Sequence, residues 1–198
     1  MVDPDPDPDA PQDSLTGSLL IAMPGIDDPR FERAVIFVCA HGDDHAMGLT
    51  LNRPLDGLTV GQLLERLGVD GDGGDPAEQP VLFGGPVERE RGFVLHTSDY
   101  ESEQGTISVS EGVSLTATRD VLQAMATEGQ RPRRALLALG YAGWGPGQLE
   151  RELKENVWLT CPPDESLLFG DDHDHKWAHA LAKIGVSAGS LSSLSGSA

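Results

Sequence analysis

The sequence predicts a single α/β (α+β) domain in which helices pack on a bent, mixed and largely antiparallel sheet. Its 198 residues correspond to about one domain. Short apolar stretches bounded by Gly, Pro or Asp alternate with a few amphipathic stretches of helical period. Several of the strand-like stretches follow one another with too few residues between them for the crossover helices that parallel pairing requires. These strands are therefore expected to pair mainly in antiparallel.

Eight stretches are predicted to be strands, because each is short, apolar and flanked by turn-forming residues. They are Ser18–Met23, Ala34–Ala40, Met47–Leu51, Val81–Phe83, Gly92–His96, Thr106–Val109, Ala135–Leu139 and Val157–Cys161. Pro162 and Pro163 terminate the last of these strands, since proline cannot donate a ladder hydrogen bond.

Four segments are predicted to be helices. Thr59 and Gln62 have the spacing of a capping box, and the apolar residues that follow share one helix face. A second helix begins near Thr118, and a third at Gly145–Pro146, with proline at the first helical position. A fourth helix is expected from about Asp172. These helices supply the apolar faces that would cover the sheet.

The two ends of the chain differ in composition from its body. Residues 1–14 form an acidic Asp-Pro arm, in which proline removes backbone donors and the aspartates repel one another, so disorder is predicted. Residues 186–198 are rich in Ser and Gly, which predicts a flexible tail. The folded domain is predicted to span residues 15–185, with Asp70–Glu78 as an acidic surface loop.

The formal net charge of -18 excludes some classes of partner. A nucleic-acid-binding surface needs a basic footprint, and an anionic membrane repels an acidic protein. Met1–Ser14 contains no apolar core of a signal peptide, and Ala34–Ala40 is the longest apolar run, too short to span a membrane. Cys39 and Cys161 lie in apolar stretches and are interpreted as buried reduced thiols. A cytoplasmic location is therefore expected.

Nucleotide and hydrolase motifs receive little support. None of the three lysines follows a glycine, which excludes a Walker A loop. The glycine-rich segment Gly140–Gly147 is predicted to join a strand to a helix, where it would form a tight turn or hold an anion on backbone amides; the turn is favoured. Gly185–Gly189 matches Gly-x-Ser-x-Gly but lacks the preceding strand that a nucleophile elbow needs.

Two groups of histidines raise the question of a metal site. His41 and His45 follow Cys39 closely, and His175 and His179 share a helix face, near His173. Zinc and nickel accept such ligands. The second group faces away from the apolar helix stripe, so a solvated polar face is favoured. No metal and no cofactor are predicted.

Eight motifs occur in order along the chain and together carry a family resemblance. They are Leu20–Pro24 with Asp28, Pro29 and Phe31; Val38-Cys39-x-His41; Ala46–Gly48 with Asn52–Pro54; Gly84–Val87; Arg91–His96; Thr118-x-Asp120–Leu122; Leu139–Trp144 with Gly147–Glu150; and Asn156-x-Trp158-Leu159. The chain resembles the YqgE/AlgH family of bacterial proteins over about Leu15–Val186.

The resemblance implies a single domain whose strongly bent mixed sheet forms a pseudo-barrel flanked by helices. It implies no catalytic residues. Some members carry a transcriptional-regulator label, but direct DNA binding has little support here, because the one basic cluster is Arg131, Arg133 and Arg134. His45 replaces a glycine that is usual in the family, and the histidines at 173, 175 and 179 lie outside the shared motifs.

The leading hypothesis is a binding or regulatory protein without demonstrated catalysis, acting through a small ligand or a protein partner. The candidate ligand-binding residues are the polar ones of the shared motifs: Asn52, Arg53, Arg91, His96, Tyr141, Trp144 and Gln148. An arginine would pair with an anion and Trp144 would stack on the ligand. For each residue the alternative is structural, as a turn, an internal ion pair or a packed aromatic ring.

Two alternatives remain at this point. One is an enzyme, a hydrolase or transferase on a small anionic metabolite, with His96 as the base. The other is a transcriptional regulator that acts indirectly. The sequence leaves homo-oligomerisation open.

Overall fold

The computed structural model describes residues 14–72 and 75–194. The strands are β1 (Leu19–Ala22), β2 (Val35–His41), β3 (Ala46–Thr50), β4 (Pro54–Thr59), β5 (Pro80–Phe83), β6 (Val87–Thr97), β7 (Thr106–Ser110), β8 (Val113–Thr116), β9 (Ala135–Trp144) and β10 (Trp158–Cys161). The helices are α1 (Val60–Arg66), α2 (Arg119–Met125), α3 (Gln148–Lys154), α4 (Glu165–Phe169), α5 (Lys176–Lys183) and α6 (Ala188–Leu194). Apart from Ser14, the predicted acidic arm lies outside the described residues.

The strands form one curled sheet, a half-barrel flanked by the helices. Eight strands follow the order β10–β1–β2–β3–β9–β6–β8–β7, and every neighbouring pair in this order is antiparallel. Strand β5 branches from this path, since it pairs in parallel with β9 and in antiparallel with β4. The predicted single domain with a bent, mixed and largely antiparallel sheet is confirmed.

Three apolar clusters hold the fold together. The largest fills the inside of the curl, where Phe37, Leu49 and Leu95 are fully buried and helix α5 contributes Leu181. A second lies on the outer face of β1–β2–β3 and is covered by α3. The third lies on the outer face of β5, β9 and β6 and is covered by α1 and α2. Burial of apolar area in these layers is the main term that stabilises the sheet.

The sequence correctly predicted how helix α1 begins. The Thr59 Oγ1 atom accepts a hydrogen bond from the Gln62 backbone N–H at 3.2 Å, and Gln62 Oε1 accepts one from the Thr59 N–H at 3.0 Å. This reciprocal pair is the predicted capping box. Cys39 and Cys161 are both buried and free, as predicted, and burial raises the pKa of the Cys39 thiol to about 12.

Several elements escaped prediction. Strand β8 alternates Val113 and Leu115 with Ser114 and Thr116, but it has only four residues, too few for the alternation alone to indicate a strand. Strand β4 and helix α4 are short and were not among the predicted elements. Within the segment predicted to be a flexible tail, Ala188–Leu194 form helix α6. The reason is Leu191, which is buried against the inner cluster and secures this Ser-rich helix.

The segment 140–147 also differs from its prediction. Gly140–Trp144 does not form a turn between strand and helix, because β9 continues through it to Trp144. Gly140 has φ of +75°, and a Cβ there would meet the Gly85 and Val87 carbonyl oxygens. The chain turns only at 145–147, so α3 begins at Gln148 and not at Pro146. Close packing of two main-chain segments therefore explains the glycine at position 140.

Within the described ranges, no helix combines the length and the apolar character needed to cross a membrane.

Candidate functional site

A groove of about 730 Å³ opens on the sheet where the starts of β3 and β6 meet β7, β8 and the end of β9. Five strands contribute one or two apolar side chains each to its lining: Met47, Val87, Phe93, Ile107, Leu115 and Tyr141. Its volume falls in the range of small-molecule sites, and barrel mouths are a common place for them. We therefore treat this surface, named here the β7 groove, as the candidate site.

Two of the groove residues are unusual for their exposure. Ile107 is 60% exposed and Val87 is 36% exposed, and in the described residues the one other exposed large hydrophobic side chain is Leu67. Isolated exposed apolar residues need no explanation, but two that meet at one concave surface indicate a binding surface. Phe93 and Leu115 form the buried floor between them, each 4% exposed.

A bulge in β6 determines which charges reach the groove. Val87 pairs with Tyr141 and Gly92 pairs with Leu139, so four residues of β6 stand opposite Gly140 alone. These four residues, 88–91, form the bulge and project from the sheet, and Glu88 adopts φ of +47°. Bulges redirect side chains in this way and are frequent beside functional sites. This one places Glu88 and Arg91 at the groove.

Arg91 is held above the groove floor. Its guanidinium carbon lies 5.2 Å from the centroid of the Phe93 ring, and the Phe93 ring meets Tyr141 edge-on at 5.7 Å. The Arg91 Nη1 atom is 3.5 Å from Glu88 Oε2, and both side chains are about half exposed. An ion pair of this length in solvent contributes little, so it leaves the guanidinium free to exchange partners.

His96 lies away from this groove and is fully buried. Its Nδ1 lies 2.8 Å from the Thr97 carbonyl oxygen, which can only accept, so Nδ1 carries the proton. Its Nε2 therefore accepts from the Thr116 hydroxyl, 2.8 Å away. Thr116 in turn accepts from Thr106 at 2.8 Å, and Thr106 accepts from the Ser102 N–H.

This directed chain of hydrogen bonds leaves His96 no free ring nitrogen. Desolvation by burial lowers the pKa of His96, which keeps the ring neutral. A general base must reach the proton that it removes, and His96 cannot. The hypothesis of an enzyme with His96 as its base therefore loses its structural support.

Asn52 and Arg53 hold the segment that precedes β2. Asn52 Oδ1 accepts from the Val35 N–H at 3.0 Å, and its Nδ2 donates to the Arg33 carbonyl at 2.8 Å. Arg33 has φ of +54°, so this amide stabilises a left-handed residue. Arg53 donates to the Glu32 carbonyl at 2.5 Å. Both side chains thus have structural partners, and neither lines the β7 groove.

Trp144 and Gln148 meet at a carboxylate that sequence reasoning overlooked. Glu152 Oε2 accepts the indole N–H of Trp144 and that of Trp158, each at 2.8 Å. Glu152 Oε1 accepts from Gln148 Nε2 at 3.0 Å. Trp144 borders the β7 groove but is 4% exposed and packs edge-on against Trp158, so it offers no open face for stacking. The spacing Gln148–Glu152, one helical turn, was the available signal.

Of the seven candidate residues, the structure brings Arg91, Tyr141 and Trp144 to the β7 groove. The remaining four are distributed over other parts of the fold. The apolar lining from Met47, Ile107 and Leu115 was not predicted. The strands of Met47 and Ile107 were predicted and that of Leu115 was not, and strand prediction alone does not indicate which strands face one another.

Two of the candidate metal-binding histidines, His41 and His175, have carboxylate partners close by, Glu150 and Asp172 respectively. His41 Nδ1 accepts from the Leu15 N–H at 3.0 Å, so Nε2 carries the proton and donates to Glu150 Oε1 at 2.5 Å. The backbone N–H of Glu150 itself and the His41 ring both donate to the Glu150 carboxylate, and both lower its pKa. His175 and His179 have ring centroids 6.2 Å apart. No group of three or more His, Cys, Asp or Glu side chains suited to a metal ion occurs in residues 14–72 and 75–194.

The arginines of the predicted basic cluster form ion pairs with carboxylates of the same chain. Arg133 forms a two-point ion pair with Glu165, at 2.6 Å and 3.2 Å. Arg134 lies 3.8 Å from the same carboxylate. Arg131 pairs with Asp72 and donates through Nε to the Met125 carbonyl at 2.8 Å. These pairs neutralise the charges that would contact phosphates.

Comparisons with known proteins all show similarity to one protein family. A family described as AlgH-like matches residues 19–189. A UPF0301 protein of Caulobacter vibrioides is 62% identical over 184 residues, covering 93% of this chain and 94% of the relative. One from Ruegeria pomeroyi is 52% identical, covering 93% and 99%. The names of these relatives state no activity.

Solved structures show the same similarity. The solution structure of the AlgH protein from Pseudomonas aeruginosa matches with a TM-score of 0.74 and 39% identity, covering 96% of this chain and 97% of that one. A crystal structure from Corynebacterium diphtheriae matches with a TM-score of 0.68 at 17% identity, which shows the fold alone. It covers 87% of this chain and 88% of the other.

Proposed function

This chain belongs to the AlgH-like family, and we propose that it is a regulatory protein that binds a small amphipathic molecule in the β7 groove. The observation that carries the proposal is the convergence of six apolar side chains from five strands around a space of about 730 Å³. Ligand sites have this composition: a mostly apolar lining with a few polar groups at one place. Here those groups include Arg91 and Tyr141.

Binding is favoured over catalysis because of what the groove holds. The titratable side chains among its lining residues are His45, Glu88, Arg91 and Tyr141. Arg91 and Glu88 are half exposed and paired with each other. Acid–base catalysis requires a group within reach of the substrate whose proton affinity suits the transfer. The one buried histidine with a shifted pKa, His96, lies outside the groove.

A neutral fluorescent probe, 1-aminoanthracene, tests the proposal directly. Titration into the full chain should give saturable fluorescence enhancement, because the dye enters an apolar, partly dehydrated space. Ile107→Glu places a charge at the exposed groove edge and should reduce the affinity about tenfold or more, since a carboxylate beside the dye must lose hydration.

Leu67→Glu is the matched control. Leu67 is 43% exposed and borders a neighbouring apolar cavity of about 300 Å³ beside α1 and α2, which shares Ala117 and Thr118 with the β7 groove but not Ile107. If the dye binds the β7 groove, L67E leaves the affinity unchanged. Loss of binding in L67E but not in I107E would place the dye in the other cavity and contradict the proposal, as would absence of saturable binding in the unmodified chain.

The regulatory role that we propose does not involve direct contact with nucleic acid. The arginines of the basic cluster are paired with Glu165 and Asp72, and the chain carries a net charge of -18. Affinity for DNA comes largely from release of counterions by basic side chains. A mobility-shift titration at low salt should show no salt-sensitive complex; such a complex would contradict this part of the proposal.

We propose that the protein acts in the cytoplasm. The support is chemical: both cysteines are buried as free thiols, as is usual where the environment is reducing. Fractionation of cells followed by immunodetection of the chain tests this location, and recovery in a secreted or envelope fraction would contradict it.

A further inference from the structure

The geometry points to ligands with an anionic head on an apolar body as the class that the β7 groove selects. This inference rests on the proposed ligand-binding function and concerns the charge of the ligand. The structural feature behind it is a single guanidinium, that of Arg91, fixed at the edge of an apolar groove.

Arg91 is positioned for this role by two neighbours. The β6 bulge directs its side chain to the groove, and the Phe93 ring lies 5.2 Å below the guanidinium carbon. Contact with an aromatic face orients a guanidinium and partly dehydrates it without using its N–H donors. Among the described residues that line the groove, Arg91 is the one arginine, and no lysine joins it.

The existing partner of Arg91 is weak. The Glu88 carboxylate is 3.5 Å away, a distance at which an exposed pair contributes little. A guanidinium has five N–H donors, whereas this pair engages one nitrogen. A ligand carboxylate could therefore form a two-point contact with Arg91 that Glu88 does not form.

Negative charge is sparse at the groove although it is abundant in the chain. The sequence contains 32 acidic residues, and of those that the structure describes Glu88 is the one that lines the groove. An anion bound beside Arg91 would meet this single carboxylate, which can rotate into solvent because it is half exposed. The Tyr141 hydroxyl makes no hydrogen bond to the described residues and supplies an additional donor in the same groove.

Three amphiphiles with linear tails of nine or ten carbons and different head groups test the inference. Decanoate, decanol and decyltrimethylammonium are used to displace 1-aminoanthracene from the full chain. We expect decanoate to bind roughly tenfold more tightly than decanol, the usual effect of one charge-assisted contact, and the ammonium to bind most weakly. Equal affinity for decanoate and decanol, or a preference for the ammonium, would overturn the inference.

Two variants test the role of the residues. Arg91→Gln should weaken decanoate about tenfold and leave decanol unchanged, whereas Glu88→Gln should strengthen decanoate by removing its competitor. Arg66→Gln, an exposed arginine of α1, is the control and should change neither. If R91Q weakens all three amphiphiles equally, Arg91 is structural and the inference is wrong.

The outcomes separate this inference from the proposed function. If the dye does not bind, both are wrong. If the dye binds and is displaced equally by decanol and decanoate, the groove binds ligands but does not select anions, and only the inference is overturned.

Discussion

Gly85 lies against the main chain of Tyr141 so closely that a Cβ on Gly85 would overlap the Tyr141 carbonyl group. Gly84 approaches the Gly140 carbonyl oxygen in the same way. The segment after β5 thus crosses β9 at backbone contact distance, and this crossing supports the end of β9 that carries Tyr141 to the β7 groove. A side chain at either position would force the two segments apart.

Gly85→Ala should destabilise the protein by about 3 kcal/mol, the upper range of overpacking effects, because backbone cannot move aside as a side chain can. Urea unfolding followed by circular dichroism measures this change. Gly92→Ala is the control, since the nearest atom to its added Cβ would be Leu139 Cδ2 at 3.9 Å, an ordinary contact. Equal stability of G85A and G92A would contradict the crossing.

Glu152→Ala should cost about 2–3 kcal/mol of unfolding free energy. The substitution leaves two indole N–H donors, those of Trp144 and Trp158, without their shared acceptor. Tryptophan fluorescence should shift at the same time, because the environment of both rings changes. Glu155→Ala, an exposed residue at the end of α3, should have neither effect. An unchanged unfolding midpoint in E152A would contradict the shared hydrogen bond.

His96 should remain neutral well below the pH at which an exposed histidine protonates. Burial lowers the pKa of its ring in the folded state. Between the usual value of about 6.5 and this lower pKa, the unfolded chain binds more protons, so stability falls as the pH falls through that range. Long-range nitrogen–proton NMR spectra at pH 6 should show a proton on Nδ1 and a bare Nε2. Protonation near pH 6.5 would contradict the hydrogen-bond chain.

Lys176 should make stability rise with pH in the alkaline range, as His96 does in the acidic range. It is 2% exposed, its Nζ donates to the Gly170 carbonyl at 3.0 Å, and burial lowers its pKa to about 8. Between pH 8 and the unfolded value of about 10.4, the unfolded chain binds more protons, so the unfolding free energy rises with pH by about 2–3 kcal/mol.

Lys176→Met should abolish this rise, because methionine carries no proton in either state. Urea midpoints at pH 7.5 and pH 10 provide the measurement. Lys154→Met changes an exposed lysine at the end of α3 and should retain the rise. A rise of the same size in K176M would assign it to another group.

Whether a structural feature could be predicted from the sequence depends on how far apart along the chain the interacting residues lie. The capping box of Thr59 and Gln62 lies within four residues, so its pattern is visible in the chain and the structure reproduces it. Strands with apolar runs, such as β2, were likewise predicted. Strand β8 was not, because its alternation of apolar and polar residues spans only four positions and its pairing with β6 and β7 involves residues distant along the chain.

The chain's own pattern of apolar runs, caps and turns was enough to predict the bent mixed sheet with its helices, and its motifs indicated the family. The location of the site depended on tertiary contacts. Met47, Arg91, Ile107 and Tyr141 are distant along the chain and meet because the sheet curls and β6 bulges. A period of two predicts that residues form a strand, but the pairing and the bulge determine which way each side chain points.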